Sequence, residues 1–571
     1  MKKILKSTIF LLPIFASAQG PLIKLWDSRF GGYKSEHTYS LQFTSDGGYL
    51  MGGFTASDSS ADITQHTRDT AVINMDGVLH GDYWIVKTDP SGTMQWNKRY
   101  GGDKGDYLFS TIQTPDDGYL LGGSSHSGIS GERTEPNRNP TSNISSACED
   151  YWIVKTDSLG SKQWDKRFGG NSGDRCYSVI QSSANCFLLA GYSFSPVSGD
   201  KTMAQVNNSS DFWVVKTNAS GTKIWDKVYG GPQSEAGPVV IKECADGGFA
   251  ICGQSWSEIG GDKTDSLHDT LTTSVGFRGD FWIVKIDSSG NKLWDKTFGG
   301  ASVDWFNDFI ITSDGGFLLG GYTWSQLSGD VTEPSRDTSL SWLSQGDFWI
   351  VKTDSLGNKQ WDKRFGGEYV DYFSSIQQTP DGGYLLAGES LSGIGGDKSE
   401  ITTGADTWLV KTDSMGNKQW DKTIFNRDSN HEHALMTDDG CIIISTSTAS
   451  GIGGYVSHAN KDTSGLNQTL DYWLTKFCDS TMVSSGTEKA YGGIVVFPNP
   501  AGNKLTISCT LDKISSIEVY NVIGVRKTMD EINYTSQNSQ ITLNVSKFEP
   551  GIYILRIYFG EKTFYTKFIK Q

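Results

Sequence analysis

Six carboxylates recur at one position of a repeated sequence, ten residues after the tryptophan of a W-D-K-like phrase: Glu36, Asp106, Asp174, Glu235, Asp304 and Asp371. The seventh copy carries Asn430 instead. Six like charges around one axis need solvent, a partner or a cation, and hard cations such as Ca²⁺ prefer oxygen ligands. The sequence predicts either a metal site, with Ca²⁺ as the one candidate cofactor, or carboxylates that accept backbone N–H groups between repeats. We favour the second interpretation.

Two histidines follow the copy that breaks this pattern. His431 and His433 would lie on one side of a strand, and closure of a ring of repeats would bring them near Glu36 and His37. A histidine and carboxylate metal cluster is one interpretation, and solvated side chains are the plainer one. We nominate no catalytic residue, because the sequence has no Ser/His/Asp order, phosphate loop or metal-spaced cysteine set.

A second acidic series has a structural interpretation. An aspartate stands two residues before each tryptophan of a D-[YF]-W-[IV]-V-K-T-D phrase, and a lysine follows three residues after that tryptophan. A group present in every repeat most simply serves every repeat, so we expect hydrogen bonds or ion pairs here. The tryptophans are Trp84, Trp152, Trp213, Trp282, Trp349, Trp408 and Trp473, and the aspartates are Asp82, Asp150, Asp211, Asp280, Asp347, Asp406 and Asp471.

The repeats themselves predict the elements that position these groups. The D-x-W phrase, the W-D-K-x-F-G-G phrase and a third phrase ending in D-G-G-Y-L-L-x-G recur 59 to 70 residues apart. Each unit indicates four strands, A to D, exemplified by Ser374–Thr379, Tyr384–Gly388, Phe348–Thr353 and Lys359–Phe365. Strand C is apolar on both faces, which is typical of four-stranded sheets that stack around an axis.

The two ends of the repeat region favour a closed ring. The region opens with a D-type strand at Trp26 and closes with a C-type strand at Trp473. The first strand would complete the last blade and remove a free edge, which a linear solenoid would not explain. We therefore predict an all-β chain with a seven-bladed β-propeller over residues 19–480.

Long polar connections between strands B and C are the expected recognition surface. They run from Phe54–Gly81 to Glu389–Ala405, whereas the A–B and C–D turns are short. Variable loops on a rigid scaffold commonly carry binding, and Trp256, Trp324 and Trp342 are placed to stack on a glycan. Recurrent Gly-Asp pairs such as Gly199-Asp200 and Gly329-Asp330 favour turns, with Ca²⁺ binding as the alternative.

Charge and cysteine usage narrow the function classes. Residues 1–18 have the basic start, apolar run and A-x-A end of a signal peptide. A net charge of −15 argues against nucleic-acid binding, and no apolar segment is long enough for a transmembrane helix.

The cysteines allow two disulfides within hairpins. Cys176 with Cys186, or Cys244 with Cys252, could bridge neighbouring strands, and free thiols are the alternative.

A different pattern begins near residue 494. Short alternating strands predict a small Ig-like β-sandwich over residues 494–571, behind a linker at 481–493. The opening Phe497-Pro498-Asn499-Pro500, a central Val519-Tyr520 before Gly524, and a late Pro550-Gly551-Ile552-Tyr553 resemble the type A C-terminal sorting domain of the Bacteroidetes type IX secretion system. An ordinary accessory domain is the alternative.

The resemblance implies partners and a location. Type IX machinery would carry the chain across the outer membrane, and a sortase-like peptidase would remove the domain by cutting in the linker. The product would be secreted or attached to the outer face of the outer membrane.

Two functions remain open at this point. The first is a non-catalytic binding or adhesion scaffold with a glycan or protein ligand on the long-loop face. The second is a secreted carbohydrate-active enzyme, a glycosidase or lyase, which needs an asymmetric acid/base pair.

Overall fold

Strands make up all the regular structure that this computed structural model describes. The described residues are 22–68, 81–138, 149–268, 279–337, 346–427, 429–462, 469–479, 494–497, 504–509, 516–521, 526–527, 533–537, 540–549, 551–559 and 562–570. None of them is helical, so no described helix could cross a membrane. The predicted signal peptide and linker lie outside these residues, as do Trp342 and the side chain of Asn430.

Seven four-stranded sheets form the propeller, and six of them are continuous in sequence. The chain begins with β1 (Leu22–Phe30). Blade 1 contains β2 (Glu36–Phe43), β3 (Tyr49–Thr55), β4 (Asp82–Thr88) and β5 (Met94–Tyr100); blade 2 contains β6 (Asp106–Gln113), β7 (Tyr119–Ser125), β8 (Asp150–Thr156) and β9 (Lys162–Phe168); blade 3 contains β10 (Asp174–Gln181), β11 (Cys186–Ser193), β12 (Asp211–Asn218) and β13 (Lys223–Tyr229).

The next three blades repeat this order. Blade 4 contains β14 (Glu235–Glu243), β15 (Phe249–Ser255), β16 (Asp280–Ile286) and β17 (Lys292–Phe298); blade 5 contains β18 (Asp304–Ile311), β19 (Phe317–Thr323), β20 (Asp347–Thr353) and β21 (Lys359–Phe365); blade 6 contains β22 (Asp371–Gln378), β23 (Tyr384–Ser390), β24 (Asp406–Thr412) and β25 (Lys418–Ile424).

Blade 7 joins the two ends of the repeat region, as predicted. It contains β26 (Ser429–Met436), β27 (Ile442–Thr448) and β28 (Asp471–Asp479), and β1 is hydrogen-bonded to β28 as its fourth strand. Adjacent blades are also bonded, since the Tyr472 hydroxyl donates to the carbonyl of Trp84 in blade 1 (3.2 Å). The chain is therefore a seven-bladed propeller closed by its first strand.

Strand C is buried on both faces because each blade is covered by a blade on either side. All seven residues of β4, Asp82 to Thr88, are buried. The seven strand C tryptophans are completely buried, and each donates its indole N–H to the residue that follows the strand D tryptophan. The two repeated phrases are thus bonded to each other in every blade.

The glycines after strand D have a packing reason. A Cβ added at Gly101 would overlap the carboxylate of Asp82, and the same overlap recurs between Gly366 and Asp347. The Asp-Gly-Gly hairpins have the predicted left-handed residue, with φ of 81° at Gly382.

The cysteine pairs proposed from sequence are not bridged. Cys176 lies opposite Gly191, and Cys252 lies opposite Val240, so the hairpin registers keep both proposed pairs apart. All four of these thiols are free. A disulfide instead joins Cys441 to Cys478, near the start of β27 and the end of β28.

The chain divides into two compact units, and the second contains the C-terminal strands. One sheet contains β29 (Ile494–Phe497), β30 (Lys504–Cys509), β32 (Asn533–Gln537) and β33 (Gln540–Asn544), and a second contains β31 (Ser516–Asn521), β34 (Gly551–Phe559) and β35 (Lys562–Lys570). Both sheets contribute to one apolar core that includes Leu505, Val519, Leu543 and Leu555. The Ig-like assignment stays a prediction.

Candidate functional site: an axial cavity

A cavity of about 750 Å³ lies among the A strands of all seven blades. Its volume falls within the range of roughly 300–1,000 Å³ that is common for small-molecule sites. Phe54 at the end of a strand B and His126 at the start of a long B–C connection also line it. The cavity therefore adjoins the start of the long loops.

A β-bulge in every strand A shapes this cavity. In β2 the pairing with β3 skips Tyr39, between Thr38 and Ser40, and each other strand A shows a shift near the same point. Bulges re-aim side chains, and one residue at each shift lines the cavity. These residues are Tyr39, Phe109, Tyr177, Pro238, Asn307, Ser374 and His431.

Aromatic side chains form a continuous arc over four consecutive blades. Tyr39 of blade 1 lies against His431 of blade 7, with ring centroids 4.2 Å apart, and meets Phe109 of blade 2 at 5.1 Å. Phe109 then contacts Tyr177 of blade 3 at 4.8 Å. One part of the cavity wall is therefore a set of touching rings.

Polar and charged side chains occupy blades 4 to 6. Lys242, Asn307, Asp308 and Ser374 line the cavity there. Asp308 accepts the backbone N–H of Phe309 (2.8 Å), and burial raises the pKa of its carboxyl group while the charge of Lys242 lowers it. The two walls thus differ in chemistry.

Arg175 is the second cation of the cavity, and its charge is balanced. Its guanidinium contacts the carboxylate of Glu149 at 2.9 Å, and Glu149 is buried. Charge-assisted contacts of this kind hold both groups in place. Arg175 therefore contributes donors to the lining with little net charge.

His431 and His433 both line the cavity, close to His37 as the ring closure predicts. Desolvation within the cavity lowers the pKa of His433 to about 4, and it also lowers the pKa of His431, whose side chain still reaches solvent. Both rings are therefore neutral at physiological pH. Glu36 does not join them, because its carboxylate accepts hydrogen bonds from Thr55 and Ser57 and lies near Asp471 at the junction between blades 7 and 1.

The six predicted ring carboxylates are elsewhere than we expected. We placed them together around the propeller axis, but all six are completely buried between blades. Each sits at a blade junction and accepts the N–H of a glycine four residues earlier, such as Gly102 to Asp106 at 2.7 Å and Gly170 to Asp174 at 2.8 Å. The backbone N–H interpretation describes this geometry. Among the described residues, no group of three or more His, Cys, Asp or Glu side chains could hold a metal ion.

The residue that replaces the acid in blade 7 is not the one that we predicted from the repeat spacing. Ser429 pairs with Thr448 as Glu36 pairs with Thr55, so Ser429 rather than Asn430 takes the place of the acid in blade 7. Counting ten residues from the tryptophan misses this because Ser429 follows Trp420 by nine residues, so the connection into blade 7 is one residue shorter than the others.

Six of the seven junctions bring two carboxyl groups together, one from each acidic series, whereas Ser429 stands in place of the second acid where blade 6 meets blade 7. Glu235 lies beside Asp211 of the preceding blade, and burial raises the pKa of Glu235 to about 8. Burial, with Asp106 nearby, likewise raises the pKa of Asp82 to about 7. The strand C aspartates are fully buried in all seven blades, which fits a structural role.

A buried cation accompanies the acids in every blade, and it comes from either of two positions. In blade 5 the cation is the strand D residue Arg364, which bonds Asp347. The second possible position, in the loop between strands B and C, is there occupied by the apolar Val331. In blade 6 the loop residue Lys398 fills the site and bonds Thr423, which stands where blade 5 has its arginine. The arginines or lysines are Arg29, Arg99, Arg133, Arg167, Lys201, Lys263, Arg364 and Lys398.

Other repeated charges also serve the fold. Lys87 pairs with Asp46 of the A–B turn at 2.8 Å, and Lys352 with Asp314 at 2.9 Å. The Gly-Asp pairs form turns, with φ of 56° at Gly199 and the N–H of Asp200 bonded to the carbonyl of Gly169. Of the loop tryptophans, Trp256 and Trp324 are half-buried over Gly279 and Gly346.

Sequence reasoning missed the bulged residues, although a signal was present. The third residue after each ring acid reads Tyr, Phe, Tyr, Pro, Asn and Ser in blades 1 to 6, while the residue after it is serine in four of those blades. A position whose residue type varies from blade to blade, beside positions that repeat, indicates a side chain that the fold itself does not require.

Comparisons with known proteins bear on the two units separately. Residues 495–571 match the family of secretion system C-terminal sorting domains. No curated protein matches the sequence.

Solved structures similar to this chain are distant. They include a protein of unknown function from Dyadobacter fermentans DSM 18053 (11% identity, TM-score 0.40, 80% of this chain and 99% of that one) and the endosialidase of phage phi92 (12%, 0.36, 91% and 75%). A β-xylosidase/α-arabinofuranosidase from a compost microbial metagenome is 10% identical, with a TM-score of 0.24, over 61% of this chain and 94% of that one. Such values support no functional inference. The chain is a seven-bladed β-propeller protein with a type IX sorting domain, which indicates secretion or attachment to the cell surface.

Proposed function

We propose that this protein is a non-catalytic binding protein of the cell exterior, which takes a glycan or protein ligand in its axial cavity. The supporting observation is that one bulged position per blade faces the cavity and that these seven residues differ in chemistry. Residues that repeat in every blade have structural partners. Asymmetry that the fold does not require is a mark of a binding site.

Export follows from the C-terminal domain. Type IX machinery would recognise residues 495–571, and a sortase-like peptidase would cut between the propeller and this domain, within 481–493. The propeller would then be released or attached to surface lipopolysaccharide. Mass spectrometry of the protein from culture medium and from cell surfaces tests this, since a mature C-terminus outside 481–493 would contradict it.

The enzyme alternative has weaker support. A glycosidase of the common type needs two carboxyl groups flanking the bond it cleaves. Asp308 is the only carboxylate among the described residues that line the cavity. Catalysis would instead be established if the wild type released reducing sugar from a polysaccharide and both Asp308→Asn and His431→Ala lost that activity.

The test is a glycan and peptide array probed with the full chain, in Ca²⁺ and in chelator. The cavity variant combines Tyr39→Ser with Tyr177→Ser, using a residue that blade 6 already carries at this position. The matched control combines Tyr33→Ala with Tyr369→Ala, which are 58% and 48% exposed and lie outside the cavity.

The expected result is binding that the cavity variant loses and the control keeps. Binding that both variants keep would contradict the assignment to the cavity. Loss of binding in chelator would return Ca²⁺ to consideration.

A further inference from the structure

The cavity's two walls together suggest a class of ligand, on the condition that the proposed binding function holds. Blades 4 to 6 carry Pro238, Asn307 and Ser374 at the bulge, so the propeller does not need an aromatic residue there. Blades 1 to 3 nevertheless place Tyr39, Phe109 and Tyr177 at that position, and all three are only partly buried. Aromatic faces left accessible in a cavity are suited to stacking on a flat apolar surface.

The opposite wall has two charged residues that are also unique to their blades. Lys242 pairs with Ala250, and the matching strand position is Ile112 in blade 2 and Gln377 in blade 6. Asp308 pairs with Gly320, where blades 1, 2, 3 and 6 have serine. A donor and an acceptor have thus been introduced at neighbouring blades of one wall.

Lys242 and Asn307 have unused hydrogen-bonding capacity. The ammonium group of Lys242 forms no hydrogen bond or ion pair with the described residues, although the Asp308 charge is close enough to interact with it. The Asn307 side-chain oxygen is buried and makes no hydrogen bond to any described group. Buried polar groups normally have partners, and a bound ligand would supply one to Asn307. Lys242 is half-buried, so its ammonium group would exchange water for a ligand oxygen.

Charge balance argues for an uncharged ligand. Arg175 is neutralised by Glu149, Lys242 faces Asp308, and His431 and His433 are neutral at physiological pH. The lining therefore offers both donors and acceptors without an excess of positive charge. An acidic ligand would need an unbalanced cation.

We propose that the axial cavity binds a neutral saccharide, with its C–H face on the rings of Tyr39, Phe109 and Tyr177 and its hydroxyl groups bonded to Lys242, Asn307 and Asp308. A pyranose ring has an apolar face and a hydroxyl-bearing edge. Each hydroxyl both donates and accepts, which matches a wall that holds an ammonium group, a carboxylate and an amide.

The test is calorimetry and saturation-transfer NMR on the full chain with cellotriose, xylotriose, mannotriose and tri-galacturonate as probes. The cavity variants are Phe109→Ser and Lys242→Gln, which install residues that other blades carry at those positions. The controls are Tyr33→Ala and Lys104→Gln on the exposed surface. Melting temperatures check that the variants are folded.

We expect at least one neutral trisaccharide to bind, with affinity roughly tenfold lower in each cavity variant and unchanged in each control. Two results would overturn the assignment of a neutral saccharide to this cavity. One is binding of tri-galacturonate alone, and the other is binding of a neutral sugar with the same affinity in the cavity variants as in the wild type. If no probe binds but an array peptide binds and is lost in the cavity variants, the saccharide assignment fails and the binding function stands. If no ligand on the arrays depends on the cavity, both fail.

Discussion

The indole N–H of Trp473 donates to the carboxylate of Asp27 at 2.9 Å, across 446 residues of sequence. The same bond joins Trp152 to Asp165 within blade 2 at 3.1 Å. In blade 7 its two partners come from opposite ends of the repeat region. Closure of the ring therefore uses the bond that holds every other blade together.

Asp27→Ala should weaken ring closure. It leaves a buried indole N–H without its acceptor, which costs about 1–3 kcal/mol of unfolding free energy. Asp165→Ala removes the equivalent bond inside blade 2. We expect similar losses of melting temperature, but limited proteolysis should cut near residues 22–30 only in Asp27→Ala. Identical cleavage patterns in the two variants would contradict a special role in closure.

The two sources of the buried cation should be interchangeable. Arg364→Thr leaves buried Asp347 without its ion-pair partner and should cost about 3–5 kcal/mol. Adding Val331→Lys recreates the arrangement of Lys398 and Thr423 in blade 6 and should restore part of that loss. Val331→Lys alone should be tolerated, because blade 2 has both Arg133 and Arg167 buried. Thermal unfolding of Arg364→Thr, Val331→Lys and the double variant tests this prediction. A double variant no more stable than Arg364→Thr would show that the two cation positions are not interchangeable.

Alkaline pH should destabilise the propeller through the paired carboxyl groups. Burial raises the pKa of Glu235 from an ordinary 4.5 to about 8 in the folded chain. A raised folded pKa means that the stabilisation is complete below pH 4.5 and is lost as pH rises through about 8. We expect the melting temperature to fall between pH 6 and pH 9, and to fall less in Glu235→Gln.

The control for this pH dependence is Glu258→Gln, at an exposed glutamate. It should follow the wild-type curve over the same pH range. A Glu235→Gln curve that is parallel to the wild type would show that this carboxyl group does not titrate there.

Reduction should destabilise the end of the propeller that holds the disulfide. The Cys441–Cys478 bond closes a 37-residue separation, and bridges of this kind contribute about 2–4 kcal/mol. Reductant should lower the melting temperature of the wild type and leave the Cys441→Ser/Cys478→Ser variant unchanged. An equal effect on both proteins would mean that the bond does not contribute to stability.

Much of the architecture follows from the sequence alone. The predicted strand D, Lys359–Phe365, has the observed bounds, and strand C begins one residue before the predicted Phe348. These elements were predictable because a strand apolar on both faces must be covered on both sides, and only a closed set of stacked blades covers all seven. The opening D-type strand then has one place to pair.

The cavity was not predictable in the same way. Strand A of blade 6 begins at Asp371, three residues before the predicted Ser374, and a bulge at Ser374 interrupts the alternation of the two faces. A bulge changes which side of a strand a residue faces, so alternation could not place Tyr39 or Phe109 at the axis.

The sequence by itself determined the number of blades, their strand order and the sorting domain, because these depend on local patterns repeated along the chain. Only the tertiary structure decided that the ring acids face a neighbouring aspartate, that Lys398 and Arg364 fill equivalent sites, and that Cys441 meets Cys478. Those contacts join different strands or blades, and their geometry depends on how sheets pack rather than on the residues beside them in the sequence.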